Sequence, residues 1–358
     1  MKVAFLVSFL ELTGGHVAVV EIGDRLVRRG HEVTIVYPAH SIASRRNDVL
    51  RGAGRVVPGR VLEPLYRQNS SELDWFPFSG SVLRVPELED RYLPRFDAVV
   101  ATAWRTAELA SRFAPDAGRR FYLIQHYETW SGPAGRVDAT WRAPFIRIAT
   151  SEWLRTLGHE RFGIDDIEVV PYGVDLETFR PDPSSPRGDG RPRVGMLYHR
   201  EPWKGVADAF AAVAAVRRSR PVQLVAFSSF PAGDDLPPGT EFHLRPTREE
   251  LRRLYSSLDV FLCASLTETG PLTVPEALAC GVAVVSTDVG NVSLWTAGGE
   301  GAFVVPPGDG QALMQVLDRA LADEAERRRR AARGRELVQA FTWERATDAF
   351  EAILRRHV

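Results

Sequence analysis

Short continuous apolar runs alternate with helix-spaced stretches along this whole chain, and that alternation leaves few folds open. Runs at Lys2–Phe9, Glu32–Tyr37, Asp97–Thr102, Phe121–Gln125, Phe145–Thr150 and Ile167–Pro171 read as strands, and a second series reads so at Val194–Tyr198, Val222–Phe227 and Val260–Ala264. An unbroken apolar run is buried on both faces, which is the mark of a parallel sheet covered by helices. The helices are expected at His16–Arg29, where Val20, Leu26 and Val27 share a face, and at Val206–Arg217, Arg248–Ser257, about 310–333, and through the closing TWERATDAFEAILRRH. In that last segment Ala346, Phe350, Ile353 and Leu354 recur at helical spacing.

The two series are parted by PDPSSPRGDGRPR at 181–193, which has no apolar side chain and reads as a surface linker. With 358 residues the chain is long for one domain and natural for two. The expected organisation is an N-terminal Rossmann-like domain over 1–180, the linker, a second Rossmann-like domain over 194–340, and a final helix over 341–358 packing back on the first domain. Ligands of such sheets bind outside the carboxyl ends of the strands. Two facing doubly wound α/β domains would therefore hold their ligand in the cleft between them.

Charge excludes one class of partner. Residues 1–170 carry 22 basic against 21 acidic side chains, and the remainder 23 against 25, so neither half has the polycationic character of a nucleic-acid binder. Cys263 and Cys280 lie in apolar runs without metal-ligand or disulfide spacing, which points to a reducing compartment. The first apolar run is too short for a leader and no cleavage site follows it, so it reads as a buried strand of a cytoplasmic protein. Only Lys2 and Lys204 are lysine among 45 basic residues, a bias typical of GC-rich coding and of a bacterial source. Residues 42–67 carry Arg45, Arg46, Arg51, Arg55, Arg60 and Arg67 against Asp48 and Glu63, which suits either a solvated basic face or peripheral contact with anionic lipid at the inner face of a membrane.

The densest chemistry lies in LDVFLCASLTETGPLTVPEALACGVAVVSTDVG at 258–290: a buried strand, a polar loop, a short helix and a second buried strand. Glu268 and Glu276 bracket the loop Gly270-Pro271-Leu272. Carboxylates accept pairs of sugar hydroxyls, and free N–H groups at a loop and helix start attract a pyrophosphate, so the layout suits a sugar nucleotide. Thr273-x-x-Glu276 also satisfies a capping box, in which Glu276 would only tie down its own helix. Gly14 and Gly15 stand at a strand-to-helix turn where backbone can approach a phosphate, or form a plain turn. His126 opens a polar cluster directly after a strand, a position for either a ligand group or a packing residue.

The Glu268-x7-Glu276 spacing, the Lys204-Gly205 pair and the phrase VVPYGVDLETFRP resemble the retaining GT-B glycosyltransferases of family four. The resemblance covers nearly the whole chain, is strongest at 194–290 and weakest at 39–95. It implies transfer of a sugar from a nucleotide diphosphate sugar to an acceptor hydroxyl of an envelope glycan, glycolipid or small molecule, with no cofactor. The lack of an Asp-x-Asp pair, with Lys204 and the loop N–H groups to do the same electrostatic task, leads one to expect no metal. By resemblance Glu276 would hold the ribose, Glu268 the transferred sugar, Lys204 the pyrophosphate, His126 the sugar ring, Gly14 and Gly15 the donor phosphates, and Arg245 with its neighbours the base. The chain departs from the family in VGMLYHREPWKG at 194–205. The family's arginine is missing from its usual register, which leaves Arg200 or His199 as the second phosphate contact. A GT-B sugar-nucleotide 2-epimerase and a non-catalytic sugar-nucleotide-binding partner subunit are the alternative readings.

Overall fold

A computed structural model of the protein describes residues 1–39, 69–70 (backbone only), 75–186 and 188–358. The arginine-rich segment expected to present a basic face, 42–67, lies outside the described residues. The chain divides into two compact units, Met1–Pro171 with Glu344–Val358, and Tyr172–Trp343.

The first unit is built on an eight-stranded sheet. Its strands are β1 (Lys2–Leu6), β2 (Glu32–Pro38), β3 (Asn69–Ser70), β4 (Ser81–Val85), β5 (Ala98–Ala101), β6 (Arg119–Ile124), β7 (Ile146–Ala149) and β8 (Ile167–Val169), in the order β3-β4-β2-β1-β5-β6-β7-β8. All pairings are parallel except β3 with β4. β1 lies between β2 and β5, with Val3 opposite both Val33 and Ala98, so the strand order reverses at β1. Val3, Ala4, Phe5 and Leu6 are fully buried, as an unbroken apolar strand in the middle of a covered sheet must be.

Helix α1 (Gly14–Arg28) follows β1, and Thr13 caps it by accepting the His16 N–H at 3.3 Å. Three further helices, α2 (Trp104–Ala110), α3 (Ala134–Arg142) and α4 (Glu152–Phe162), were not marked by the apolar pattern of the sequence. Each is short, and α4 buries only Leu154 and Gly158.

In the second unit the strands β9 (Arg193–Leu197), β10 (Gln223–Ser228), β11 (Glu241–Leu244), β12 (Val260–Cys263), β13 (Ala283–Thr287) and β14 (Phe303–Val305) form an all-parallel sheet ordered β11-β10-β9-β12-β13-β14. The order reverses at β9, which pairs with β10 on one side and β12 on the other. Its helices are α5 (Val206–Val216), α6 (Arg248–Ser257), α7 (Thr273–Ala279), α8 (Val292–Thr296), α9 (Gly310–Ala322) and α10 (Glu324–Val338). The single helix expected at 310–333 is two helices. Asp323 adopts φ −102° and ψ 91° and accepts the Glu326 N–H at 2.9 Å, so an aspartate caps a new helix where the charge pattern alone showed continuity.

The unit boundary falls ahead of the expected linker. Residues 172–180 are tied into the second unit: Phe179 packs on Tyr255 with centroids 6.0 Å apart, and Asp175 accepts from Arg248 at 2.7 Å. A side chain at Gly173 would strike the Thr342 carbonyl carbon at 2.3 Å.

Helix α11 (Trp343–His357) supplies Glu344–Val358 to the first unit. Phe350 stacks on Phe5 at 5.8 Å, and Ala346, Ile353 and Leu354 are buried with it. Beside this stripe Glu351 receives Arg29 at 2.9 Å, His31 at 2.9 Å and Arg355 at 2.6 Å. Burial pushes the Glu351 carboxyl up, and these hydrogen bonds outweigh it and hold the group at about 2. Replacing the fully buried Phe350 by alanine is expected to cost about 3–5 kcal/mol. Denaturant melting measures this loss, and a midpoint equal to the parent's would show that the helix contributes no core.

Candidate functional site

The strand order reverses between β9 and β12, so neighbouring connections depart in opposite directions at their carboxyl ends, the place where sheets of this kind bind ligands. Each of those ends carries one of the residues singled out in the sequence. After β9 a single helical turn, Pro202–Lys204, ends at Gly205, and after β12 the chain runs through 264–272 to α7. Gly205 has φ +64°, and a Cβ there would lie 1.8 Å from the Ala264 carbonyl oxygen. Only glycine lets the turn press so closely against the end of β12. The Leu266 N–H donates to the Trp203 carbonyl at 2.7 Å and fastens the two loops together.

The result is a direct ion pair, Lys204 Nζ to Glu268 Oε1 at 2.5 Å, with both side chains mostly buried. The Ser265 hydroxyl donates to the same carboxylate oxygen at 3.3 Å, and Thr287 on β13 holds the Ser265 carbonyl at 2.6 Å. Gly290, at φ +56°, backs the loop so tightly that a Cβ would come within 2.4 Å of the Thr269 carbonyl carbon. Glu268 is thus aimed by a glycine behind it, a serine beside it and a lysine in front.

Glu276 sits on α7 and is anchored differently. Tyr255 on α6, fully buried, donates its hydroxyl to Glu276 Oε2 at 2.8 Å. The capping-box alternative is not what forms. Leu272, in helical conformation at φ −54° and ψ −28°, occupies the cap, with no side-chain cap bond. The box at Thr247 and Glu250, by contrast, is made in both directions, at 3.2 and 2.7 Å. Gly270, Pro271 and Leu272 lie between the two glutamates. Proline has no N–H, so Gly270 and Leu272 supply the loop's donors, and neither N–H has an acceptor among the described residues.

The stretch Tyr198-His199-Arg200 divides three ways. Tyr198 turns into the sheet, 2% exposed, where its hydroxyl donates to Asp235 at 2.6 Å and accepts the Gly233 N–H at 3.0 Å. Arg200 is exposed and donates to the Pro231 carbonyl at 3.3 Å. His199 stays beside the turn. Its Nδ1 accepts the Glu201 N–H at 3.1 Å, and its ring meets Phe230 edge to face at 5.3 Å. Burial first, and the Lys204 charge second, push His199 down to about 4, so the imidazole is neutral at ordinary pH. Arg245, after edge strand β11, has φ +49° and returns its guanidinium to the Ser229 carbonyl at 3.1 Å. A non-glycine residue in that left-handed region is a strained backbone position at the carboxyl edge of the sheet.

The remaining sequence candidates belong to the first unit. Gly14 and Gly15 open α1 after β1, and Gly15 lies against the Gln125 amide, whose nitrogen donates to the Thr102 carbonyl at 3.1 Å. His126 follows β6 and is flanked edge to face by two exposed indoles, Trp130 at 4.4 Å and Trp153 at 5.2 Å. Glu128 lies two residues beyond His126 in the same polar cluster. Its carboxylate accepts the Trp104 N–H at 2.7 Å at the start of α2. Burial raises it to about 7, against the pull of that hydrogen bond and of the Arg105 charge. Tyr255, Ser265 and Gly290, which aim the two second-unit glutamates, carried no sequence signal of their own. They are distant in sequence or chemically ordinary, and only the sheet order brings them to the site.

Comparison with known proteins agrees with this architecture. Residues 193–323 match the family described as Glycosyl transferases group 1, and residues 12–178 match Glycosyltransferase Family 4. The fold is that of the GT-B class, two Rossmann-like α/β domains. It is similar to sucrose-phosphate synthase from Thermosynechococcus elongatus (TM-score 0.75, 19% identity, 99% of this chain and 98% of that one). An Anabaena protein solved in complex with UDP-glucose is likewise similar (TM-score 0.76, 16% identity, 99% and 100%). The chain belongs to the group 1, family four glycosyltransferases. Among its relatives, an MMP alpha-(1->4)-mannosyltransferase of Mycolicibacterium hassiacum is 31% identical over half of this chain, and the match spans 46% of that protein's length. A phosphatidyl-myo-inositol mannosyltransferase of Mycobacterium leprae is 25% identical over 91% of this chain and 88% of its own.

Two outcomes follow from the geometry. Gly205→Ala should lower stability by at least about 2 kcal/mol, because the left-handed conformation alone costs alanine about 1–2 kcal/mol and the Ala264 carbonyl must also move. Parental stability in chemical denaturation would mean that the turn does not need glycine. For Glu128 the folded carboxyl titrates higher than the unfolded one, so its contribution is full below the unfolded value near 4.5 and is lost as pH rises through about 7. Glu128→Gln should therefore gain melting temperature over the parent progressively from pH 5 to pH 8.5. A difference independent of pH would show that Glu128 titrates normally.

Proposed function

We propose that this chain is a retaining hexosyltransferase that takes its sugar from a nucleotide diphosphate sugar and acts without a metal ion. The observation that carries the reading is the Lys204–Glu268 pair at the reversal of the second unit's sheet, with Glu276 separately anchored by Tyr255. One cation and two oriented carboxylates, on two neighbouring loops and the helix that follows the second, match the three parts of such a donor. Lys204 takes the diphosphate, Glu268 accepts hydroxyls of the transferred sugar, and Glu276 accepts those of the ribose. The N–H groups of Gly270 and Leu272 add donors beside the phosphates. The names of the relatives, mannosyltransferases among them, and the solved similar chain with UDP-glucose support a hexose donor.

In the reaction the bond from the anomeric carbon to the diphosphate oxygen breaks, and the acceptor oxygen bonds to that carbon on the same face. The acceptor's proton passes to the departing phosphate oxygen. Negative charge accumulates on the diphosphate as this happens, and Lys204 with the loop N–H groups is preorganised to stabilise it. Glu268 holds the lysine in place before the donor arrives. Gly14, Gly15 and His126 stand at the carboxyl ends of β1 and β6 in the first unit, and their part in the reaction is proposed on family resemblance. The acceptor is a hydroxyl of a glycan, glycolipid or small molecule. Among the described residues no helix is long and apolar enough to cross a membrane.

Glu276→Ala should weaken binding of free UDP or GDP by about 1.5–3 kcal/mol, the range for a hydrogen bond to a charged group, whereas Glu268→Ala should spare the free diphosphate and weaken the sugar conjugate. Calorimetric titration in excess EDTA tests both points and the metal independence together. Parental nucleotide affinity in Glu276→Ala and Lys204→Ala, or binding abolished by EDTA and restored by magnesium, would sink the reading.

A further inference from the structure

We propose that His199 makes the second diphosphate contact of the donor site, as a neutral hydrogen-bond donor through Nε2–H, at the place where the family resemblance leads one to expect an arginine. The inference rests on the donor-binding reading of the second unit and adds a residue to it. Three observations support the assignment. The tautomer is set by the loop: Nδ1 accepts the Glu201 N–H at 3.1 Å, so it carries no proton, and the ring proton is on Nε2. Nε2 has no hydrogen-bond partner among the described residues. The two neighbours that compete for the role are turned elsewhere, Tyr198 onto Asp235 and Gly233 inside the sheet, and Arg200 out to the Pro231 carbonyl.

The site's electrostatics agree with a neutral donor. Lys204 already supplies the positive charge, held by Glu268 at 2.5 Å. A second cation beside it would repel the first, and burial of the imidazole together with the Lys204 charge keeps His199 uncharged. A neutral N–H still strengthens as charge develops on a phosphate oxygen, and it needs no counter-ion of its own. The edge-to-face contact with Phe230 at 5.3 Å fixes the ring plane, so the donor is oriented before the ligand enters.

Two substitutions separate this role from loop maintenance. The amide nitrogen of His199→Gln reaches the Nε2 position and can donate, but gives up the Nδ1 acceptor. His199→Asn keeps an acceptor for the Glu201 N–H and removes the outer donor. Titration of UDP and of GDP into the full-length protein is expected to show His199→Asn binding about 10- to 100-fold more weakly and His199→Gln within about threefold of the parent. Arg200→Ala should stay within about twofold, and melting curves check that each variant folds. If His199→Asn binds like the parent while Lys204→Ala loses affinity, the inference falls and the donor site stands. Loss in His199→Gln with retention in His199→Asn assigns the histidine to the loop alone, and a larger loss in Arg200→Ala assigns the contact to the arginine. If the parent binds neither nucleotide, the donor reading and this inference fall together.

Discussion

The pairing of β9 with β12 is the constraint from which the second unit's chemistry follows. Val194 stands opposite Val260 and Met196 opposite Leu262, although more than sixty residues separate the strands in sequence. That adjacency brings two unrelated loops to the same edge of the sheet. One carries the lysine and the other the glutamate. Without it Lys204 would be an isolated surface cation and Glu268 an ordinary loop acid. Gly205 completes the approach by letting one loop touch the Ala264 carbonyl just past the other strand. Parallel pairing puts both carboxyl ends on one edge, so the ligand groups face the same way.

The ion pair itself has two roles that pull in opposite directions. A lysine and a glutamate this close and this well covered satisfy each other, which avoids the cost of leaving either charge buried alone. Under the proposed function an arriving diphosphate shares the lysine, and the sugar's hydroxyls take up part of the carboxylate's capacity. The pair therefore balances its own charge, and a ligand would meet groups already in position. Tyr255 does the same for Glu276 from inside the core, where its hydroxyl has no water to turn to.

Strand positions were legible in the sequence because a strand buried on both faces leaves an unmistakable apolar run. Lys2–Leu6, Glu32–Pro38 and Val260–Cys263 all lie where those runs stand. The short first-unit helices were not legible. Helix α4, with only Leu154 and Gly158 buried, has too little apolar periodicity to stand out from a loop. The break at Asp323 was hidden because charged residues continue through it, and only the cap geometry distinguishes two helices from one. At the site, the chemical types at 204, 268 and 276 could be read directly, but their supports could not. Nothing near Glu276 in the sequence marks Tyr255 as its anchor, and Tyr198-His199-Arg200 offers three polar side chains whose directions depend on strand pleat and on Asp235. The expected boundary at 181–193 followed composition, whereas the actual one follows packing, with Phe179 and Asp175 already committed to the second unit.

The stacking of Phe350 on Phe5 bears on how the chain reaches this structure. Synthesis runs from the amino end, so β1 is made before a partner encoded more than three hundred residues later. The whole of Tyr172–Trp343 is made in the interval and can complete its own sheet first. During that time the face of the first unit that Phe350 and Leu354 will cover is exposed apolar surface, vulnerable to association with other nascent chains. The first unit, although translated ahead of the second, cannot complete its core until Glu344–Val358 has been made.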